Sequence, residues 1–134
     1  VWVKPDSSPQ LSGDRPAQGF ESIAAAWCGE GGSKWNGGGK RGVFIYNKHD
    51  PGNGHGGARN EHPTQKPVAL MKDLVSLFSN RDDLVLDMCA GSGATGIACH
   101  DLGRRFIGIE KKPHHFATLC RRIEDAQRQG RLIA

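Results

Sequence analysis

The sequence predicts an α/β fold, and three observations carry that prediction. Residues Leu84 to Glu110, LVLDMCAGSGATGIACHDLGRRFIGIE, read as a strand, a glycine-rich turn, a helix and a second strand. An acid, Asp87 or Glu110, stands at the C-terminal edge of each strand. Just ahead of this unit, Leu70, Met71, Leu74, Val75, Leu77 and Phe78 form an apolar stripe at helical spacing.

Within the unit, Leu84-Val85-Leu86 is a short apolar run bounded by turn residues, which reads as a buried strand. Met88 to Gly93 then make a tight turn in which glycines let the backbone approach a ligand. Ala94 to Leu102 is helix-compatible, and Gly103 sits where a C-cap belongs. Phe106 to Ile109 reads as the next buried strand, and Glu110 ends it. Open α/β sheets bind ligands over the turn that follows the first strand. Gly91-Ser92-Gly93-Ala94-Thr95-Gly96 matches G-x-G-x-x-G and so admits a dinucleotide. In such a site the strand feeds straight into the first glycine, because a pyrophosphate needs bare N–H groups and the helix dipole. Here Asp87 and three further residues intervene. A carboxylate repels a pyrophosphate and suits a cation, and S-adenosylmethionine (SAM) carries both an ammonium and a sulfonium. Glu110 is placed to accept the ribose hydroxyls. SAM therefore ranks ahead of NAD or FAD, and the plain alternative is an α/β unit whose glycines and acids only shape the turn.

With 134 residues, the chain is one domain or part of one. Nineteen glycines and 37% hydrophobic residues give a modest core with much loop. A net charge of +4 is compatible with a polyanionic partner and does not require one. No stretch is long and apolar enough to span a membrane, and no signal peptide is visible. Cys28, Cys89, Cys99 and Cys120 contain no C-x-x-C pair, so they read as reduced thiols of a cytoplasmic protein.

Taken from the start, Val1-Trp2-Val3 reads as the end of a strand, followed by loop chemistry around Pro5, Pro9 and Pro16. Phe20 to Trp27 is compatible with strand or helix; a strand pairing with the first as a wide hairpin is the preferred expectation. From Gly29 to Gly57 glycine dominates, and only Val43 to Tyr46 looks like a strand. Between Gly29 and Asn60, Lys34, Lys40, Arg41, Lys48 and Arg59 outnumber Glu30 and Asp50, with Trp35 and Asn36 among them. Flexible backbone, basic side chains, an exposed aromatic and amides suit a nucleic-acid-contacting loop; a solvated glycine-rich linker is the bland alternative. His49, His55 and His62 match no compact ligand spacing, so no metal is expected. His100, His114 and His115 read as helix-surface or cap residues. His62-Pro63-Thr64-Gln65-Lys66-Pro67 introduces the striped helix, with Pro67 at its first position and the loop reaching toward the cofactor turn. After Glu110, Pro113 opens a last helix with Phe116, Cys120, Ile123 and Gln127 on one face, and Arg121, Arg122, Arg128 and Arg131 outside or beyond it.

HPTQKPVALMKDLV, then LVLDMCAGSGATGIACHDLGRRFIGIE, then an Arg-rich helix together resemble the C-terminal part of amino-DNA methyltransferases. The resemblance is narrowest to the β-type motif order and to phage-like members, whose paired strands VWVKPDSSPQLSGDRPAQGFESIAAAW is similar to. It implies a Rossmann-like SAM-dependent methyltransferase fold, mostly parallel with helices on both faces, incomplete in this chain. Residues 1–28 then supply a strand pair of that sheet, 29–60 the target-recognition segment, and 61–134 the SAM-binding region. Thr64, Gln65 and Lys66 resemble the loop closing on the methionine end. Asp87, Gly91, Ser92 and Gly93 resemble the SAM turn, and Glu110 the ribose-binding acid. Lys34, Trp35, Asn36, Lys40 and Arg41 are the candidate contacts to double-stranded DNA. Where the family reads D-P-F-x-G-S-G, this chain has Met88 and Cys89 for Pro and Phe, so an aromatic cover for the cofactor is missing.

The resemblance implies transfer of methyl from SAM to the N6 amine of adenine or the N4 amine of cytosine, in a bacterial or phage-infected cell. The family holds the target amine with D-P-P-Y, S-P-P-Y or a close relative, and stacks the extruded base on the aromatic. No Pro-Pro occurs in this sequence, and Asp50-Pro51-Gly52-Asn53 lacks both the second proline and the aromatic. No catalytic residue is therefore assigned. The expectation is a C-terminal fragment whose catalytic motif precedes Val1 on a missing N-terminal half. A non-catalytic nucleic-acid-binding module is the alternative, and a nucleotide-dependent oxidoreductase the weaker one.

Overall fold

The structure, a computed structural model, describes residues 1–8, 10–29, 34–48 and 65–133. The expectations for His49, His55, His62, Asp50 to Asn53 and Thr64 fall outside these residues.

Strand β1 (Trp2–Val3) is the centre of a three-stranded sheet. β2 (Phe20–Glu21) pairs with it antiparallel, which makes the wide hairpin, and β3 (Phe44–Ile45) pairs with it parallel. The ladder with β2 is shorter than the expected strand from Phe20 to Trp27. Beyond Glu21 the chain leaves the sheet and runs over apolar neighbours: Ile23 joins the cluster around Trp2 and Phe44, and Trp27 meets Phe78. β3 also ties the glycine-rich segment into the same sheet as the N-terminal strands. The indole N–H of buried Trp2 donates to the Tyr46 carbonyl at 2.8 Å, so the ring is satisfied as well as packed.

Helix α1 (Val68–Phe78) lies between this sheet and the rest of the molecule. Leu70 and Leu77 pack with Trp2 and Phe44, while Val75 packs with Ala98 and Cys99 of the next helix. Two apolar faces explain why its hydrophobic positions spread around the cylinder instead of forming one narrow stripe. Pro67 is one position earlier than expected. It is the N-cap, in an extended conformation, and its carbonyl accepts the first helical N–H, that of Met71. Proline suits that place because no intrahelical bond needs its missing N–H.

β4 (Leu84–Asp87), α2 (Ala94–Leu102) and β5 (Arg105–Gly108) form the expected βαβ unit, with β4 and β5 parallel and Asp87 opposite Gly108. Gly93 and Gly103 bracket α2 in the left-handed region, at φ 84° and 70°. The strands are not buried on both faces as expected. Val85 and Phe106 pack under α1 and α2, whereas Leu84 (52% exposed), Leu86 (56%), Ile107 and Ile109 face outward. Parallel sheets ordinarily have both faces covered; the described residues cover one.

Helix α3 (Pro113–Ile133) packs on α2. Its inner face is His115, Leu119, Arg122 and Ala126, with Ile123 half-buried beside them; Phe116 and Gln127 are exposed. This corrects the expected face, which was offset by one residue, and corrects both His115 and Arg122 as surface residues. Close approach is possible because position 96 carries no side chain. A Cβ there would lie 2.4 Å from Ile123 Cδ1 and 2.8 Å from the Phe106 ring. The third glycine of the turn motif is thus a packing requirement between α2, α3 and β5.

Candidate cofactor site

β4 delivers Asp87 to the rim of a turn whose geometry the acids themselves hold. Asp87 Oδ1 accepts the Cys89 N–H at 3.0 Å, and Oδ2 accepts the Thr95 hydroxyl at 2.6 Å. Glu110, beyond the end of β5, accepts the Gly91 N–H at 3.0 Å with one oxygen and the Lys112 N–H at 2.8 Å with the other. A carboxylate has about four lone-pair positions, so Asp87 keeps capacity for a ligand beside its two bonds. The turn is therefore held by two negative charges, Asp87 at Cys89 and Thr95 and Glu110 at Gly91.

A cavity of about 390 Å³ opens over this turn. Asp87, Cys89, Gly91 and Ser92 form one side, Gln65 and Lys66 another, and Glu21 with Ser22 a third. Trp2, Ile23, Met71 and Leu74 supply apolar lining. A few convergent polar groups on a mostly apolar wall are the usual make-up of a small-molecule site, and the volume lies in the usual range. The structure thus brings Gln65, Lys66, Asp87, Gly91 and Ser92 to one cavity, with Gly93 at the head of α2 and Glu110 one hydrogen bond away. Among the described residues, no group of three His, Cys, Asp or Glu side chains could hold a metal ion.

Lys66 has a definite partner. It forms an ion pair with Glu21 at 3.2 Å, and Lys4 reaches the other oxygen at 3.2 Å. Both ammonium groups also lie over the Trp2 ring, at 5.7 and 5.5 Å. Burial raises the Glu21 carboxyl, but the hydrogen bonds and charges of Lys66 and Lys4 outweigh it and hold the group below the ordinary carboxylate range. Lys66 thereby ties the segment before α1 to β2 across the cavity mouth.

The family model described as DNA methylase, of the N6/N4 type, matches residues 1–120. The chain belongs to this DNA methylase family. Over 65 residues it is 46% identical to the DNA adenine methyltransferase YhdJ of Escherichia coli (strain K12), covering 48% of this chain and 22% of that protein. Over 64 residues it is 39% identical to the type II methyltransferase M2.DpnII of Streptococcus pneumoniae, covering 48% of this chain and 24% of that one. The matched part is thus about a quarter of these relatives. The solved M1.HpyAVI–SAM complex superposes with a TM-score of 0.63 at 32% identity, over 91% of this chain and 59% of that one. The fold class expected from sequence holds: α/β, of the Rossmann-like methyltransferase type, present in part.

In this family member the basic segment is not a free loop. Asn36 donates its side-chain amide to the carbonyls of Ser76 and Ser79 and to Asn80 Oδ1, and its backbone N–H to the Leu77 carbonyl at 2.8 Å. It closes the C-terminal end of α1. Trp35, expected as an exposed aromatic, is half-buried; it packs on Phe78 with ring centroids 5.3 Å apart and donates to the Gly38 carbonyl at 2.7 Å. Lys34 pairs with Asp83 at 2.9 Å and Lys40 with Asp73 at 3.3 Å, both at exposed positions, and Arg41 is exposed. Tyr46 donates to the same Asp73 at 2.9 Å.

Trp2, Glu21, Ser22 and Thr95 at the cavity, and Arg122 behind it, were not found from sequence. The strand residues carried no signal, because their place depends on the sheet stacking on α1. Arg122 did carry one: Leu119 and Ala126 are apolar partners one turn before and one turn after it on the same face.

Proposed function

We propose that this chain forms the cofactor-binding and target-recognition part of a SAM-dependent DNA methyltransferase acting on an exocyclic amine of adenine or cytosine. The observation that carries the reading is the meeting of Gln65 and Lys66 with the Asp87–Gly93 turn around one cavity. Bound there, SAM supplies an electrophilic methyl group on a sulfonium. Asp87 would accept from the ammonium and Glu110 from the ribose hydroxyls, with Gln65, Lys66, Ser92 and the Gly91 and Gly93 backbone toward the methionine end; Thr64 belongs to the same motif as Gln65 and Lys66. Trp2, Ile23, Met71 and Leu74 exclude water. A carboxylate at the turn disfavours a pyrophosphate, which argues for SAM over NAD or FAD.

DNA would lie against the basic segment. The pairs of Lys34 and Lys40 are exposed and screened by water, so phosphates can replace their partners readily. Arg41 joins them, while Trp35 and Asn36 anchor the segment on α1 and fix its position. The acceptor for the target amine comes from a D-P-P-Y- or S-P-P-Y-type motif on another polypeptide segment. The outward face of Leu84, Leu86, Ile107 and Ile109 is suited to pack it. A cytoplasmic location follows from a DNA substrate.

The test is transfer of labelled methyl from SAM to duplex DNA. The chain alone should give none above background. Adding a segment with the amine-binding motif, in trans or fused ahead of Val1, should yield an exocyclic methylamine. Robust transfer by the isolated chain would show an unassigned catalytic group here. Silence of a stable reconstituted complex would favour a non-catalytic DNA-binding module.

A further inference from the structure

The Arg122 side chain is 9% exposed and reaches from α3 to the back of the cofactor turn. Its Nη1 donates to the Ser92 carbonyl at 2.7 Å and to Ser92 Oγ at 2.9 Å. Ser92, itself buried, donates its hydroxyl to Gln65 Oε1 at 3.1 Å. A guanidinium has no acceptor, so at this contact the Ser92 oxygen accepts. With Arg122 donating into the hydroxyl, its single proton is directed outward, to Gln65 Oε1. The carbonyl oxygen of the Gln65 amide is thereby taken up at Ser92. The NH₂ end is then the group left for a ligand in the cavity that Gln65 lines.

We propose that Arg122 is a positioning residue for methyl transfer: acting through Ser92, it fixes the amide orientation of Gln65, so that the NH₂ is presented to the carboxylate of the cofactor's amino-acid end. The proposal rests on the reading of the cavity as the SAM site. It gives one cation two tasks. It anchors the turn through the Ser92 carbonyl, and it sets a donor on the far side of the cavity through the Ser92 hydroxyl. A charged group is seldom taken out of water without such partners. Both bonds leave the one Nη1, and the planar guanidinium fixes their directions, which the rotating point charge of a lysine ammonium does not.

The test compares two ligands on the full chain by calorimetry: SAM, and 5′-methylthioadenosine, which lacks the amino-acid end. Arg122→Lys, Ser92→Ala and Gln65→Leu should each weaken SAM about tenfold, the usual scale for losing a hydrogen bond to a charged group. Methylthioadenosine should bind each variant as it binds the parent. The double variant Ser92→Ala with Gln65→Leu should lose no more than either single change, since both cut one relay. Equal weakening of both ligands would mean that Arg122 merely stiffens the turn, and would overturn the proposal; so would losses that multiply. If the parent binds neither ligand, the cavity reading fails separately. Amide exchange at Gln65 and Lys66 then decides the relay: faster exchange in Ser92→Ala and Arg122→Lys supports it, and the parent's rate in both overturns it.

Discussion

The side-chain amide of Asn36 donates to the carbonyl of Ser79 at 3.0 Å, and this bond joins the basic segment to the end of the helix that carries the cofactor loop. The last carbonyls of a helix lack intrahelical partners, and here an asparagine from a distant part of the chain supplies them.

Substitutions at Asn36 should therefore change stability before they change recognition. Asn36→Ala removes three donated bonds and should cost about 1–3 kcal/mol. Asn36→Asp should be worse. It cannot donate, and it sets a negative charge against the negative end of the helix dipole. Chemical denaturation orders the three proteins. Equal stability, with altered DNA preference alone, would make Asn36 a base-reading residue instead.

Tyr46 is the only tyrosine, so its ionisation can be followed by absorbance without assignment. Burial, together with its hydrogen bond to Asp73 and that charge, pushes it up to about 12. A phenol with a raised folded-state value contributes stability that is whole below its ordinary value of 10.0 and is lost as pH rises toward about 12. The midpoint should lie well above 10.0 in the folded protein. Asp73→Asn should lower it, and should release Lys40 as well. A midpoint near 10.0 would mean that the basic segment does not rest on α1 as described.

Gly96→Ala tests the contact of α2 with α3. Alanine would favour the helix by about 1 kcal/mol, but its Cβ would overlap Ile123 and the Phe106 ring, and overpacking costs about 1–3 kcal/mol. A net loss should appear in thermal melts. Pairing the change with Ile123→Val, which removes the Cδ1 atom in the way, should recover part of it. A more stable Gly96→Ala single variant would contradict the packing.

The βαβ unit was legible because its signals are local: two apolar runs, a glycine turn and a glycine C-cap fall within one stretch. Gln65 and Lys66 were expected near the turn from the resemblance and from a motif that precedes a helix packing beside β4, and they line the same cavity as Asp87. Glu21 was not, since nothing near Phe20 tells which loop the sheet will face. Trp35 and Asn36 misled for a physical reason. Glycines, lysines and an amide describe a DNA-contacting loop and a loop strapped to a helix end equally well, and only Leu77, Phe78 and Ser79 distinguish them. The face of α3 was misjudged because Phe116 was weighted as apolar, although Leu119 and Ala126 fix the inward direction.

On the proposed reading, the charge of Asp87 is what suits this turn to SAM and not to a dinucleotide. Asp87→Asn is the sharpest variant, because its one amide oxygen can still accept the Cys89 N–H, and its NH₂ can donate to the Thr95 hydroxyl, while the charge is removed. Titration calorimetry of the parent and of this variant, each with SAM and with NAD, tests the claim most directly. The parent should bind SAM and not NAD, and Asp87→Asn should weaken SAM by about tenfold to a hundredfold, the scale of a charged hydrogen bond. Tighter binding of NAD than SAM, or an unchanged SAM affinity in the folded variant, would contradict it.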